Sequence, residues 1–202
     1  MRFLVLGASG EIGCLVLEQA LARGHGVTAL VRSPQKIQLQ NERLLLQKGD
    51  PLNTEQLAGS IPGHDAVISS LGSSRDPTVL QNSAHAIVSA MKRTSVRRIL
   101  IVSVGFLFPE TGLPGALLRR VFLRNVGKDA AAMESILMRE PLDWTIVRPP
   151  RLSNAKRSGN YRVMDDHMPK RGFIIPRADV ADFLLNEAEK PAHIRRIVGV
   201  CK

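Results

Sequence analysis

The chain has 202 residues, 44% of them hydrophobic, which predicts one globular domain with a sizeable core. No apolar run approaches the roughly 18 residues that a membrane span needs, so we expect no membrane span. The net charge of +10 raises the question of nucleic-acid binding. Aromatic residues, however, make up only 4% of the chain, and the sequence has no helix-turn-helix or zinc-finger pattern. We therefore expect no nucleic-acid partner.

The chain opens on a strand and a glycine-rich turn. Residues 2–7 are predicted as a short apolar strand, and Gly7, Gly10 and Gly13 follow in the pattern G-A-S-G-E-I-G. The first glycine allows a tight turn, the second lets the backbone approach a pyrophosphate, and the third lets the next helix pack against the strand. A helix beginning near Glu11 would bind the phosphates at its N-terminus, with the Glu11 carboxylate pointing away. An ordinary glycine-rich turn is the alternative, because the commoner fingerprint is G-x-G-x-x-G.

The second strand, residues 27–31, predicts which cofactor binds. Its end meets the adenosine ribose, where NAD-preferring sites have an acidic residue that binds the 2′-hydroxyl. This chain instead has Arg32, with Lys36 close behind. A guanidinium pairs with a 2′-phosphate through two parallel hydrogen bonds, so NADP(H) is the predicted cofactor. A solvated surface arginine is the alternative in so basic a chain.

Further along, strands and helices alternate, which is typical of a parallel sheet covered on both faces. The predicted fold class is α/β: a single Rossmann-like, doubly wound parallel sheet with helices on both faces, with residues 1–202 as one NAD(P)-binding domain. Asn53 and Asp179 lie near plausible helix starts. The remaining predicted strands are Leu44–Lys48, Ala66–Ser70, Ile99–Ser103, Thr145–Val147 and Ile194–Val200, and the helices are Thr54–Ala58, Thr78–Thr94, Lys128–Arg139 and Ala178–Glu189.

Residues 105–127 do not fit this alternation. Turn residues fill the first part, and the apolar stretch 116–123 is interrupted by Arg119 and Arg120. The segment follows a strand whose carboxyl end should face the ligand crevice, so a lid over the nicotinamide is one interpretation. A packed connection or a self-association surface fits equally well, and a membrane-surface helix fits less well.

The cysteines and histidines show no disulfide or metal-binding pattern. The two cysteines, Cys14 and Cys201, lie far apart in the sequence, and the five histidines are scattered without metal-ligand spacing. We expect no bound metal. We expect a cytoplasmic protein, because the first residues enter a core strand directly. We also expect a monomer or a weak homo-oligomer.

Several further motifs accompany the glycine turn. They are Leu30-Val31-Arg32, Gly49-Asp50, Leu71-Gly72, Val102-Ser103-Val104-Gly105-Phe106, Trp144-Thr145-Ile146-Val147-Arg148-Pro149-Pro150, Ser158-Gly159-Asn160-Tyr161 and Asp179-Val180-Ala181-Asp182-Phe183-Leu184-Leu185. Together these motifs resemble those of the atypical (NmrA-like) short-chain dehydrogenase/reductases, over nearly the whole chain. Within that group the nearest likeness is to NADPH-dependent flavin reductases of the biliverdin-IX beta reductase type.

The resemblance implies a set of cofactor contacts. Arg32 and Lys36 would bind the 2′-phosphate, and Asp50 would lie by the adenine, although it has an alternative role as a turn residue before Pro51. The other implied contacts are those of Gly7, Ser9, Gly10 and Ile12 at the phosphates, with Glu11 beside them, and those of Leu71, Gly72, Arg75 and Pro149 along the cofactor.

The catalytic residues differ from those of the wider superfamily. Ordinary members use a Tyr-x-x-x-Lys pair in which the lysine lowers the tyrosine pKa, but the single tyrosine here, Tyr161, is not followed by that lysine. The biliverdin-type reductases have a serine and a histidine at the positions of Val104 and Arg151. We predict that Ser103, beside Val104, positions the nicotinamide or polarises an acceptor oxygen, and that Arg151 binds an acceptor carboxylate or phosphate. The alternatives are a strand-end serine bonded to the backbone and a surface arginine.

The leading functional prediction is an NADPH-dependent reductase that transfers hydride to a planar conjugated acceptor: a flavin, quinone or tetrapyrrole. Such an electron sink mainly needs the nicotinamide held against it, with solvent supplying the proton. The partner is then a small anionic or aromatic molecule, and the basic residues would form an electropositive cleft for it. The alternative is a non-catalytic NADP(H) sensor acting through a protein partner, and an epimerase is a third candidate weakened by the missing Tyr-Lys pair.

Overall fold

The computed structural model describes residues 1–72, 77–108 and 124–202, without the side chains of residues 124 and 125. Arg75 and most of the segment interpreted as a lid or interface, residues 109–123, lie outside the described residues. Within the described part, ten strands and five α-helices follow one another. They are β1 (Arg2–Leu6), α1 (Glu11–Ala22), β2 (Gly26–Val31), β3 (Leu44–Lys48), α2 (Thr54–Ser60), β4 (Ala66–Ser69), α3 (Val79–Met91), β5 (Arg98–Val102), α4 (Arg124–Met138), β6 (Asp143–Arg148), β7 (Arg151–Ser153), β8 (Arg162–Asp165), β9 (Ile174–Pro176), α5 (Arg177–Glu189) and β10 (Arg196–Cys201).

Eight of these strands form one sheet in the order β3-β2-β1-β4-β5-β6-β10-β8. Seven of them are mutually parallel, which confirms the predicted Rossmann-like α/β fold. Strand β8 is a departure from the all-parallel prediction, because it runs antiparallel to β10. It lies at the edge of the sheet, where an otherwise parallel sheet commonly accepts one antiparallel strand. Strands β7 and β9 form a separate two-stranded parallel sheet.

Both faces of the main sheet are buried, which explains why its central strands are apolar throughout. Successive residues of β1 point to opposite faces, so Phe3 and Val5 pack into one core and Leu4 and Leu6 into the other. Helices α1 and α5 cover the first face, and α2, α3 and α4 cover the second. The segments that follow the parallel strands consequently meet at one edge of the sheet.

The predicted helices and long strands are present, with ends that differ by a few residues. Asn53 caps α2, since its side chain accepts a hydrogen bond from the Gln56 N–H. Asp179 does not cap α5, because Pro176 takes that position, and its buried carboxylate instead accepts bonds from Ser158 and Gly159. No described helix is long and apolar enough to cross a membrane, and the described side chains include no group of three that could hold a metal ion.

Candidate functional site

The candidate site lies at the carboxyl edge of the parallel sheet. The strand order reverses at β1, with β2 and β3 on one side and β4, β5 and β6 on the other. In open α/β sheets, ligands bind in the crevice outside the carboxyl ends of the strands at such a switch point. The residues that follow β1, β2 and β4 meet there, because Leu6 is paired with both Leu30 and Ser69.

The glycine turn after β1 leaves no space for a side chain at its first and third glycines. Gly7 has a φ of +78°, and an added Cβ would lie 2.8 Å from the backbone nitrogen of Leu71. A Cβ added to Gly13 would overlap the Gly7 carbonyl oxygen, so α1 starts in direct contact with the turn. These contacts match the tight-turn and helix-packing roles predicted for the two residues.

The N-terminus of α1 is open to an anion. Gly10 is the N-cap residue, and no side chain among the described residues caps the helix. Ser9 and Gly10 are exposed, whereas Ile12 packs its side chain against the core. Free N–H groups and the positive end of the helix dipole therefore fit a diphosphate group at this point.

Glu11 is turned toward the start of α5. Its side chain is 66% exposed, and its carboxylate lies 2.9 Å from the Arg177 guanidinium. Arg177 also donates a hydrogen bond of 2.7 Å to the Asn154 side chain. The sequence pattern does not single out Arg177 as a site residue, because only the fold brings the start of α5 beside the start of α1.

Arg32 and Lys36 are available cations on the other side of the turn. Arg32 follows β2 directly, and Lys36 ends a 3-10 turn formed by Pro34–Lys36. Both side chains are exposed, and neither has a hydrogen bond or ion pair with a described residue. Neither charge is therefore neutralised by the described part of the protein.

Asp50 and the residues after β4 lie near the same edge. One carboxylate oxygen of Asp50 accepts a hydrogen bond of 3.0 Å from the Leu52 N–H, which is the turn role that the sequence leaves open. Leu71 packs partly against the core. Gly72 is exposed, and a Cβ added there would have no atom of the described residues within 4 Å, apart from its two chain neighbours. The backbone at Gly72 is therefore accessible to a ligand.

A buried charged cluster lies at the ends of β5 and β6. Ser103 and Glu134 are 5% and 3% exposed, and the serine hydroxyl donates to the Glu134 carboxylate. Arg148 makes two hydrogen bonds with that carboxylate, one of them 2.9 Å from Nε to Oε1. The Arg148 guanidinium also lies 4.6 Å from the centre of the Phe108 ring, a cation–π contact. The structure thus gives the Ser103 hydroxyl an acidic partner that the sequence analysis does not name.

Glu134 had a signal in the sequence that could have revealed it. It lies on the core-facing stripe of α4, beside the buried residues Ala130, Met133 and Leu137. An acidic residue on an apolar stripe needs a positive partner when it is buried. Arg148, in the Arg-Pro-Pro motif at the end of a buried strand, supplies that partner.

Pro149 and Arg151 follow β6. The Pro149 carbonyl accepts a hydrogen bond of 2.8 Å from the Gly105 N–H, which ties the turn after β5 to the turn after β6. Arg151 begins β7, and its side chain is exposed and has no hydrogen bond or ion pair with a described residue. Of the two predicted catalytic residues, Ser103 is held in a buried cluster and Arg151 is an unpaired surface cation.

Tyr161 lies near the opposite end of α1 from the glycine turn. Its hydroxyl donates to Asp182 at 3.0 Å and accepts a bond from Asn186 at 2.8 Å. Asp182 also binds Arg23, the C-cap residue of α1, at 2.7 Å. Burial, with the Asp182 charge as a second cause, raises the pKa of Tyr161 above its usual value. The two ends of this 12-residue helix are about 18 Å apart, at 1.5 Å per residue.

Related proteins span nearly the whole chain. The model of the NAD(P)H-binding family matches residues 7–191. The uncharacterized protein YwnB of Bacillus subtilis is 28% identical over 205 residues, which cover 96% of this chain and 94% of its own length. The structure of a candidate NADH-flavin reductase from Streptococcus pneumoniae has a TM-score of 0.80 at 26% identity, covering 100% of this chain and 99% of its own. The structure of a candidate epimerase from Bacteroides thetaiotaomicron has a TM-score of 0.83 at 28% identity, covering 99% of this chain and 96% of its own.

Proposed function

Because this chain belongs to the NAD(P)H-binding family, we propose that it is an NADPH-dependent reductase of a planar conjugated acceptor: a flavin, quinone or tetrapyrrole. When bound, NADPH would supply a hydride carrying two electrons to the acceptor, and a proton from solvent would complete the reduced acceptor. The related structures include both a candidate reductase and a candidate epimerase. The choice of reaction therefore depends on the residues of this chain.

The position of Tyr161 is the observation that carries the proposal. Reduction of a simple carbonyl needs an acid to protonate the alkoxide, and a tyrosine of lowered pKa is the usual donor in the superfamily that the sequence resembles. Tyr161 is the single tyrosine, its hydroxyl is bound by Asp182 and Asn186, and its pKa is raised. Its partners lie at the far end of α1 from the glycine turn. An acceptor that is itself an electron sink needs no such donor.

Arg32 and Lys36 support NADPH as the cofactor. Both are exposed and unpaired among the described residues, directly after the strand that meets the adenosine ribose. A 2′-phosphate would supply the missing anion, and a guanidinium binds it through two hydrogen bonds. The related protein from Streptococcus pneumoniae is named for NADH, so the proposed preference for NADPH rests on Arg32 and Lys36 alone.

Arg151 supports an acceptor with a carboxylate or phosphate. Its side chain has no ion pair with a described residue, and it lies two residues after Pro149, whose carbonyl is hydrogen-bonded to the turn after β5. The Glu134–Arg148 pair and the Ser103 hydroxyl brace the ends of the two strands from which these turns start. This bracing would hold the nicotinamide and the acceptor in a fixed relation, which accounts for much of the rate in hydride transfer.

Two flavins with one ring system test this assignment. FMN and riboflavin share the isoalloxazine ring, but only FMN carries a phosphate. We expect Arg151→Ala to lower kcat/KM for FMN about tenfold, the size of one lost charge-assisted hydrogen bond, and to leave riboflavin within about twofold. Arg43→Ala is the matched control, because it removes an exposed arginine just before β3, at the edge of the sheet opposite to the candidate site. If Arg151→Ala lowered kcat/KM equally for both flavins, or for neither of them, Arg151 would not belong to the acceptor site.

A further inference from the structure

The Arg177 side chain joins three separate parts of the molecule. Arg177 is the first residue of α5, and its side chain is 20% exposed. One guanidinium nitrogen lies 2.9 Å from the Glu11 carboxylate in the first turn of α1. Another donates to Asn154, after β7, at 2.7 Å. A positive charge is thereby held beside the helix N-terminus that fits a diphosphate.

Without the other, Glu11 would disfavour diphosphate binding, and Arg177 would disfavour its own helix start. Glu11 suits the dipole of α1, but its carboxylate would repel a diphosphate that binds the same helix start. Arg177 begins α5, where the helix dipole disfavours a positive charge. Glu11 is largely exposed, so their ion pair contributes little to folding stability. Its main electrostatic consequence is that Glu11 no longer presents an uncompensated negative charge to an incoming anion.

We propose that Arg177 sets the affinity for the cofactor diphosphate by neutralising Glu11 at the glycine turn, and that Asn154 holds the Arg177 side chain in place. The diphosphate is common to NADPH and NADH, so Arg177 acts on both cofactors alike. Arg32 and Lys36, in contrast, act on the 2′-phosphate. This inference rests on cofactor binding, which the proposed function also requires, and it is independent of the acceptor.

The test is the Kd of NADPH and of NADH, measured by equilibrium titration of the wild-type protein and three variants. Arg177→Gln should weaken both cofactors by a similar factor, about five- to tenfold, because Glu11 is then uncompensated. Glu11→Gln should tighten both about threefold, since Arg177 is then unpaired. The double variant Glu11→Gln/Arg177→Gln lacks both charges and should bind both cofactors within about twofold of wild type. Raising the salt concentration should shrink the Arg177→Gln loss.

Lys92→Gln is the matched control, because it removes one positive charge from a 2.8 Å ion pair with Glu140 elsewhere on the surface. It should leave both Kd values unchanged. A loss confined to NADPH, no loss with Arg177→Gln, or a double variant as weak as Arg177→Gln would overturn the proposal. If Arg177→Gln does not fold, Glu11→Gln tests the proposal by itself. Cofactor binding by Glu11→Gln that is unchanged or weaker than wild type would then overturn the proposal.

The same titrations separate this inference from the proposed function. Wild-type protein that binds neither NADPH nor NADH would contradict the proposed function. Tight wild-type binding that neither Arg177→Gln nor Glu11→Gln alters would contradict the role of Arg177 alone.

Discussion

Arg32 is the residue on which the choice of cofactor depends. A hydrogen bond to a charged group contributes about 1.5–3 kcal/mol, and Arg32 is exposed without a partner among the described residues. We expect Arg32→Asp to weaken NADPH binding by at least about tenfold, because repulsion of the 2′-phosphate replaces that bond, and to change NADH binding by less than about threefold. Titration with both cofactors measures the ratio. Arg32→Gln should give an intermediate NADPH affinity, and equal losses for the two cofactors would contradict the 2′-phosphate assignment.

Individual residues could be predicted from the sequence where local backbone geometry decides them. Gly7 and Gly13 belong to this class, because Gly7 has a positive φ and the close contacts of Gly13 lie within the turn, with Gly7 and Ala8. Only one of the two roles of Asp50 is of this local kind. Its hydrogen bond with the Leu52 N–H lies within one turn, whereas its contact with adenine stays a prediction. Ser103 and Glu134 could not be paired from the sequence, because only packing brings α4 to the end of β5.

Two buried carboxylates of α5, Asp179 and Asp182, bind the loop formed by residues 154–161, and we call this set of contacts the clasp. Asp179 accepts hydrogen bonds from the Ser158 N–H at 2.7 Å and from the Gly159 N–H at 3.0 Å. Asp182 accepts from Tyr161 and also pairs with Arg157 at 2.8 Å. The clasp fixes Tyr161 on the helix and away from the glycine turn, which is why the choice of reaction depends on this loop.

Tyr161 provides a spectroscopic signal for the clasp, because the chain has no other tyrosine. Burial and the Asp182 charge raise its pKa, so the folded protein should show no phenolate as the pH passes about 10, whereas the unfolded chain should ionise there. The neutral phenol stabilises the fold below about pH 10, and this contribution is lost as the pH rises through the higher folded pKa. An ultraviolet pH titration of folded and denatured protein measures the difference. Asp182→Asn should bring the two titrations closer together, and ionisation of the folded protein at about pH 10 would contradict the clasp.

Whole elements could be predicted from the sequence where they are long and regular. The central strands form apolar runs because both of their faces are buried, and α1 and α3 present apolar residues at helical spacing. Strands β7, β8 and β9 have only three or four residues, and all four residues of β8 are exposed. No alternation of apolar and polar residues marks such strands, so their existence depends on pairing with β10 or with each other.

Across the whole molecule, a major stabilising cluster lies at the opposite edge of the sheet from the candidate site. Arg98 begins β5, and its guanidinium pairs with Glu187 at 3.0 Å, with side chains 10% and 3% exposed. Arg98 also donates to Thr145, and Glu187 accepts from the His193 N–H. These bonds join β5, β6, α5 and the chain before β10, so they affect folding without touching the glycine turn.

Arg98→Met should therefore lower stability without lowering the affinity of the remaining folded protein for NADPH. It leaves the Glu187 carboxylate buried without its cation, which typically costs about 3–5 kcal/mol. The neighbouring variant Arg97→Met is the control, because Arg97 is 53% exposed and lies 3.9 Å from Asp143, and it should cost less than about 1 kcal/mol. Urea unfolding of both variants measures the free energies. Similar losses for the two would contradict the stabilising role of the buried pair.

A working reductase and a cofactor-binding sensor both bind NADPH, and they differ in whether an acceptor is reduced. The most direct test is NADPH oxidation by the purified protein with a panel of free flavins, quinones and linear tetrapyrroles, with NADPH binding measured on the same sample. We predict that NADPH binds and that at least one of these acceptors is reduced faster than without protein, at an equal rate in Tyr161→Phe. Tight NADPH binding without turnover of any acceptor would contradict the reductase and favour a sensor.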